Sequence, residues 1–189
     1  MGEKAIKHGN SCIYEIDTED RIVFCNGVWD AFAVENGGEQ LRFENIKGRV
    51  LWDFLEGAST IDVYTRLISH VREGNSVKFM FRSDSPSIFR LMEMKIALTS
   101  KNRVRFSTRI KSTGDRESLS IQTEETSVPD EPPLLVCSWC GRLKIHRQSW
   151  QQIDIAVSKI GLFEKEKMPS ISHGICERCL KEINSLLRT

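Results

Sequence analysis

No apolar run in this 189-residue chain approaches the roughly 18 residues that a membrane-spanning helix needs, so helices of that kind are excluded. The first residues, Met1 to His8, contain no apolar stretch of the sort that opens a secretory signal. Gly2 is followed by Ile6 where a myristoylation motif wants serine or threonine. The expected setting is therefore the cytoplasm. Catalytic signatures are missing as well. There is no phosphate-cradling glycine loop, no HExxH, and no kinase or hydrolase motif, and Asp53, Asp84 and Glu93 are isolated carboxylates. The expectation is a protein that is not an enzyme. Strong charge of one sign is lacking too: the formal net charge is +1, which gives no bulk attraction to nucleic acid or to an anionic membrane.

What is present is an ordinary globular composition, 40% hydrophobic and 28% charged, with six cysteines. Four of them form two Cys-x-x-Cys pairs, Cys137 with Cys140 and Cys176 with Cys179. In a reducing compartment, paired cysteines favour metal binding or redox chemistry over structural disulfides. Two pairs suffice for a tetrahedral thiolate site of the kind that holds structural zinc. The two-residue spacer lets backbone N–H groups turn toward the first sulfur, and Gly141 and Gly174 supply turn positions. The 35 residues between Cys140 and Cys176 are too many for a simple zinc ribbon and favour two knuckles separated by a helix. Trp150, Ile153, Val157 and Ile160 suggest that helix, and Leu180, Ile183, Leu186 and Leu187 suggest another starting near Cys176. His173 is read as hydrogen-bonding a ligand sulfur or capping the turn, with ligation the alternative. His146 is read as solvated.

The chain divides at residues 112–133, which carry one basic and six acidic residues together with Pro129, Pro132 and Pro133. Such a segment cannot bury enough surface to offset its ordering entropy and reads as an acidic disordered linker. It separates residues 1–111 from a mildly basic tail, 134–189, with nine basic and five acidic residues. In the first part, Cys12 to Asp17 and Arg21 to Cys25 read as a hairpin, with Asn26 placed to cap a helix carrying Val28, Trp29, Phe32 and Ala33. Residues 59–73 form an amphipathic helix through Ile61, Tyr64, Leu67, Ile68 and Val71, stopped at Gly74. Three strands follow: Ser76 to Arg82, Phe89 to Leu98 and Val104 to Ile110, with a turn at 84–86.

That order, with Asp17 to Asn26, Trp29 and the segment Ile46 to Phe54, resembles the PAS sensor domain over about 100 residues. The resemblance implies an α+β fold: a five-stranded antiparallel sheet with short helices, used for sensing or dimerisation. Trp29, Phe32, Trp52, Phe54, Tyr64 and Phe79 are the candidate pocket residues. His70 lies at the edge of its helix, which speaks against a haem ligand, and residues 48–54 lack the reactive cysteine of flavin-binding light sensors. Cys12 and Cys25 read as core or edge thiols.

The tail is similar to a C-terminal extension of bacterial PAS-containing and two-component signalling proteins. The similarity rests on the four cysteines and on Ser172-His173-Gly174-Ile175 before the second pair. Gly141 stands where that extension usually has lysine, and Glu177 where it has proline. Together these readings give a PAS-like domain, an acidic linker and a small, mostly helical, treble-clef-like Cys₄ zinc module, acting on protein partners in a signalling pathway. Two alternatives remain at this level. One is a thiol redox switch built on the two pairs. The other is a transcription-associated nucleic-acid binder that uses the basic tail with an exposed Trp139; in the leading reading Arg142, Lys144, Arg147 and Arg178 instead form the mildly basic docking face of the zinc module.

Overall fold

The computed structural model describes residues 11–83, 88–115, 133–145, 149–152, 155–156 and 170–188. The expected turn at 84–86, most of the acidic segment, His146, Arg147, and the expected helix positions 153, 157 and 160 lie outside the described residues.

The chain opens with the expected hairpin. β1 (Cys12–Ile16) and β2 (Ile22–Cys25) pair antiparallel with a register shift between Glu15 and Ile16, burying Cys12, Ile16, Ile22 and Cys25, and the turn between them is organised by Asp17. Its carboxylate accepts hydrogen bonds from the N–H groups of Glu19 and Arg21, both at 2.9 Å. Asn26 caps α1 (Gly27–Glu35) by accepting from the Trp29 N–H at 3.2 Å, as its position predicts. The same side chain ties the helix back to β1, accepting from Ile13 N–H at 3.0 Å and donating to the Ser11 carbonyl at 2.8 Å. A short α2 (Phe43–Ile46) and two 3₁₀ turns, Glu39–Leu41 and Leu51–Phe54, lead to α3 (Ala58–Arg72).

α3 ends at Gly74, whose φ of +98° is costly for any other residue. Its inward stripe is Thr60, Val63, Leu67, Ile68 and Val71. The sequence pattern had placed Ile61 and Tyr64 on that stripe; both are half-buried, and Val63 takes the centre with no exposure at all. The buried face is centred on Val63, Leu67 and Val71, with Tyr64 packed at its side against the same core.

Three antiparallel strands complete the first sheet: β3 (Ser76–Arg82), β4 (Ile88–Leu98) and β5 (Val104–Asp115). β5 runs five residues past Ile110, so the start of the acidic segment is strand. β5 returns to pair with β1, giving the strand order β2-β1-β5-β4-β3. Ile16, Met94, Ile96, Val104 and Phe106 line the face beneath α3 and belong to one core cluster with its apolar stripe. The other face carries charge. Glu15 is ringed by Arg103 and Arg105, and Glu93 by Lys78, Arg109 and Lys111. Pairing of this kind is what makes a nearly buried carboxylate tolerable. This five-stranded antiparallel sheet with short helices on one face is the PAS-like architecture.

The tail contains more strand than expected. β6 (Leu134–Cys137), β7 (Leu143–Ile145), β8 (Ser149–Gln151) and β9 (Ile171–Gly174) form a second sheet in the order β8-β7-β6-β9. Trp150, assigned from its spacing to a helix, lies in β8, where its ring is 5.8 Å from the Lys144 ammonium. The described part of the module is a sheet with the helix α4 (Glu177–Leu186), and residues 155–156 are helical as well, the Ala156 N–H donating to the Gln152 carbonyl at 2.9 Å, so the module holds more strand than the mostly helical one expected. Its hairpin-plus-helix arrangement is nonetheless treble-clef-like. Module and PAS-like unit share one hydrophobic cluster, in which Cys137, Trp139, Cys176, Cys179 and Ile183 join Leu67, Phe79 and Phe106.

Candidate metal centre

The first pair sits on the β6–β7 hairpin. Cys137 ends β6, Ser138 to Cys140 make the turn, and Gly141 leaves it at φ +68°. The Gly141 N–H donates to the Cys137 carbonyl at 2.9 Å, and the Cys137 N–H donates to the Arg142 carbonyl at 2.8 Å. The second pair sits at the start of α4. Cys176 is the N-cap, its sulfur accepting from the Cys179 N–H at 3.5 Å, and Cys179 lies in the first turn. A helix N-terminus carries partial positive charge and favours thiolate there.

Parallel pairing of β6 with β9 brings the two halves together. It sets Cys137 opposite Gly174, two residues before Cys176. The Cys176 N–H then donates to the Cys137 sulfur at 3.3 Å. All four sulfurs lie within 4.8 Å of one another, and those of Cys140 and Cys176 are 3.7 Å apart. A tetrahedron with metal–sulfur bonds of about 2.3 Å has sulfur–sulfur edges of about 3.8 Å, so the donor set fits a tetrahedral thiophilic cation. Three of the cysteines are buried and Cys140 is half-buried.

The electrostatics point the same way. Hydrogen bonds from the Cys140 and Cys179 thiols, then from the backbone N–H groups of Cys176 and Cys140, hold the Cys137 thiol far below its ordinary value. The adjacent Cys137 sulfur pushes Cys140 up to about 11 and, with Cys140, raises Cys179 as well. Thiolates this close repel one another, and a divalent cation is what would let all four sulfurs be deprotonated together.

His173 lies in β9 outside the four-sulfur cluster, with Nδ1 3.3 Å from the exposed Glu56 carboxylate. That nitrogen is buried and has no hydrogen-bond partner, so the expected bond from His173 to a cysteine sulfur is not made through it.

The six candidate pocket residues separate into two groups. Tyr64 and Phe79 converge. Trp29 instead donates its indole N–H to the Leu41 carbonyl at 2.7 Å and meets Tyr14 edge-on. Phe32 lies by Arg90, Trp52 donates to the Asp20 carboxylate at 3.0 Å, and Phe54 lies under Arg49. His70 sits at the rim of α3, near the Asn75 side chain.

What fills the space between Tyr64 and Phe79 is Trp139, a residue expected at the surface. Its ring lies 4.3 Å from Phe79 and 5.8 Å from Tyr64, and the residue is 4% exposed. A large aromatic inside a metal knuckle was the signal for this contact, but the surface that buries it lies some 60 residues upstream.

No family model matches the chain, and no curated protein matches it. Among solved structures it is similar to the PAS domain of the RpfR quorum-sensing receptor of Cronobacter turicensis, solved in complex with C12:0. That likeness has 14% identity and a TM-score of 0.40, covering 57% of this chain and 99% of that one. A sensory box sensor histidine kinase of Vibrio cholerae is also similar, at 9% identity and a TM-score of 0.37, covering 55% of this chain and 82% of that one. The fold and site define a PAS-like unit carrying a four-cysteine, treble-clef-like centre suited to a metal ion. Among the described residues, no helix is long and apolar enough to cross a membrane.

Proposed function

We propose that this chain is a non-enzymatic cytoplasmic signal-transduction protein. In this reading the PAS-like unit senses or dimerises, and the C-terminal module, built around structural zinc held by Cys137, Cys140, Cys176 and Cys179, presents the docking or output surface to a protein partner. The observation that carries the reading is the convergence of four sulfurs, from a hairpin turn and a helix N-terminus, on edges that match zinc–thiolate geometry. Zinc bound this way contributes about 10–16 kcal/mol in small finger peptides, which is enough to hold together a module of this size. The resemblance of the Ser172 to Cys179 stretch to an extension on bacterial two-component proteins supports the same setting.

Native mass spectrometry of the full chain after reducing purification is the test. One zinc per chain is expected, falling well below one in a Cys176→Ser, Cys179→Ser double variant. A wild-type protein carrying far less than one zinc would end the proposal.

One observation favours a second reading as a redox switch: Cys140 is the least buried of the four and its sulfur is 3.7 Å from that of Cys176. Thiol counting with and without peroxide, read alongside zinc release, separates the two. Unchanged thiols dispose of the switch. The nucleic-acid reading loses its aromatic contact, since Trp139 is buried.

A further inference from the structure

The two residues between the cysteines of the first knuckle have no ligand role, yet both are spent on the PAS-like unit. The Ser138 hydroxyl lies 3.0 Å from that of Thr60 on α3. Trp139 packs against Phe79 of β3 with its ring tilted by 34° and reaches Tyr64 of α3. Its carbonyl accepts the Arg82 N–H at 2.8 Å, so the knuckle also continues the hydrogen bonding of β3 at its end.

From this we infer that metal occupancy of the four-cysteine centre is an input to the PAS-like unit, delivered through Trp139. The inference rests on the reading that these cysteines hold zinc. The physical argument runs through the turn itself. Cys137 and Cys140 flank Ser138 and Trp139, so a metal that fixes both sulfurs also fixes the backbone that presents the indole. Without that constraint, four residues at the tip of a hairpin must give up conformational entropy to stay in one geometry. With it, that cost is met by the metal–sulfur bonds, and the indole is held in place.

Trp139 fills the space between Tyr64 and Phe79, two of the residues expected from the sequence to line a PAS pocket. Loss of the metal therefore frees the indole, exposes those two aromatic rings and unpins the Arg82 end of β3. A thiol oxidant or a competing chelator acting on the cysteines would reach the sensor sheet by the same route, with the sulfurs as the sensing groups.

Hydrogen exchange of the full chain, followed by mass spectrometry, tests this. Exchange is compared with Zn²⁺ bound, after chelation under reducing conditions, and after Zn²⁺ is restored. Chelation is expected to speed exchange in peptides covering Ser76–Arg82 at least about tenfold, reversibly. Trp139→Ala is expected to keep one zinc per chain while exchange in the same peptides becomes indifferent to zinc. Trp139→Phe, which preserves an aromatic filler, is expected to restore part of the response should the alanine variant fold poorly.

Two results would overturn the inference: unchanged β3 exchange on zinc removal from the wild type, or an undiminished zinc response in Trp139→Ala. A wild type that binds no zinc would instead defeat the underlying metal assignment, and the zinc stoichiometry tells that case from the other two.

Discussion

Gly57 offers a sharp test of how the cysteine module is seated. It precedes α3 with φ +84° and ψ 123°, a conformation that side-chain-bearing residues rarely adopt. A Cβ built there would meet the carbonyl oxygen of His173 in β9 at less than contact distance and its carbonyl carbon at 3.1 Å. The obstacle is backbone, so no rotamer change relieves it. Gly57→Ala therefore combines backbone strain of about 1–3 kcal/mol with overpacking of about 1–3 kcal/mol, roughly 2–6 kcal/mol in all. For a chain of this length each kcal/mol moves the melting temperature by about 2–4 °C, so a drop of at least about 4 °C is expected by calorimetry. Gly27→Ala is the control. Its Cβ meets nothing within 4 Å, and it should be neutral or stabilising by about 0.4–1 kcal/mol. A Gly57→Ala protein that melts within about 2 °C of wild type would refute the close approach of α3 to β9, and with it the shared core.

Two further outcomes follow from the ionisable groups. Hydrogen bonds from Lys78, then from Arg109, lower the Glu93 pKa, so its contribution to stability is complete above the ordinary carboxylate value and is lost as the pH falls through its folded value. Urea midpoints for wild type and Glu93→Gln should therefore differ more at pH 6 than at pH 3, and an equal difference at both would contradict the network. Burial pushes Cys12 and Cys25 up to about 12, so iodoacetamide at pH 8 should leave both unmodified in the folded chain and label both once it is unfolded. Labelling of the native protein at the rate of a free cysteine would show that these thiols are reachable.

The elements legible in the sequence were those with a local cause. The hairpin ending at Asn26 follows from alternation and from a side chain able to cap the next helix. β3 follows from strict alternation, and its bounds match the expected ones residue for residue. The geometry of each cysteine pair follows from a spacer that fixes a knuckle within four residues. Errors arose where the deciding contact was distant. Ile61 and Val63 are equally apolar neighbours on α3, and only the position of the sheet decides which points inward. Trp150 fits a helical spacing, but pairing of β8 with β7 claims its backbone.

The sequence by itself determined the strands of the first sheet, the cap at Asn26, the stop at Gly74 and the identity of the four sulfurs, because each is written in periodicity or in a short motif. Tertiary structure alone decided that β6 pairs in parallel with β9, which is what joins sulfurs 39 positions apart from Cys137 to Cys176. It also decided that Trp139 turns away from solvent. A side chain's hydrophobicity states that it prefers burial, whereas the surface that accepts it is assembled from Tyr64 and Phe79 only after α3 and β3 have packed.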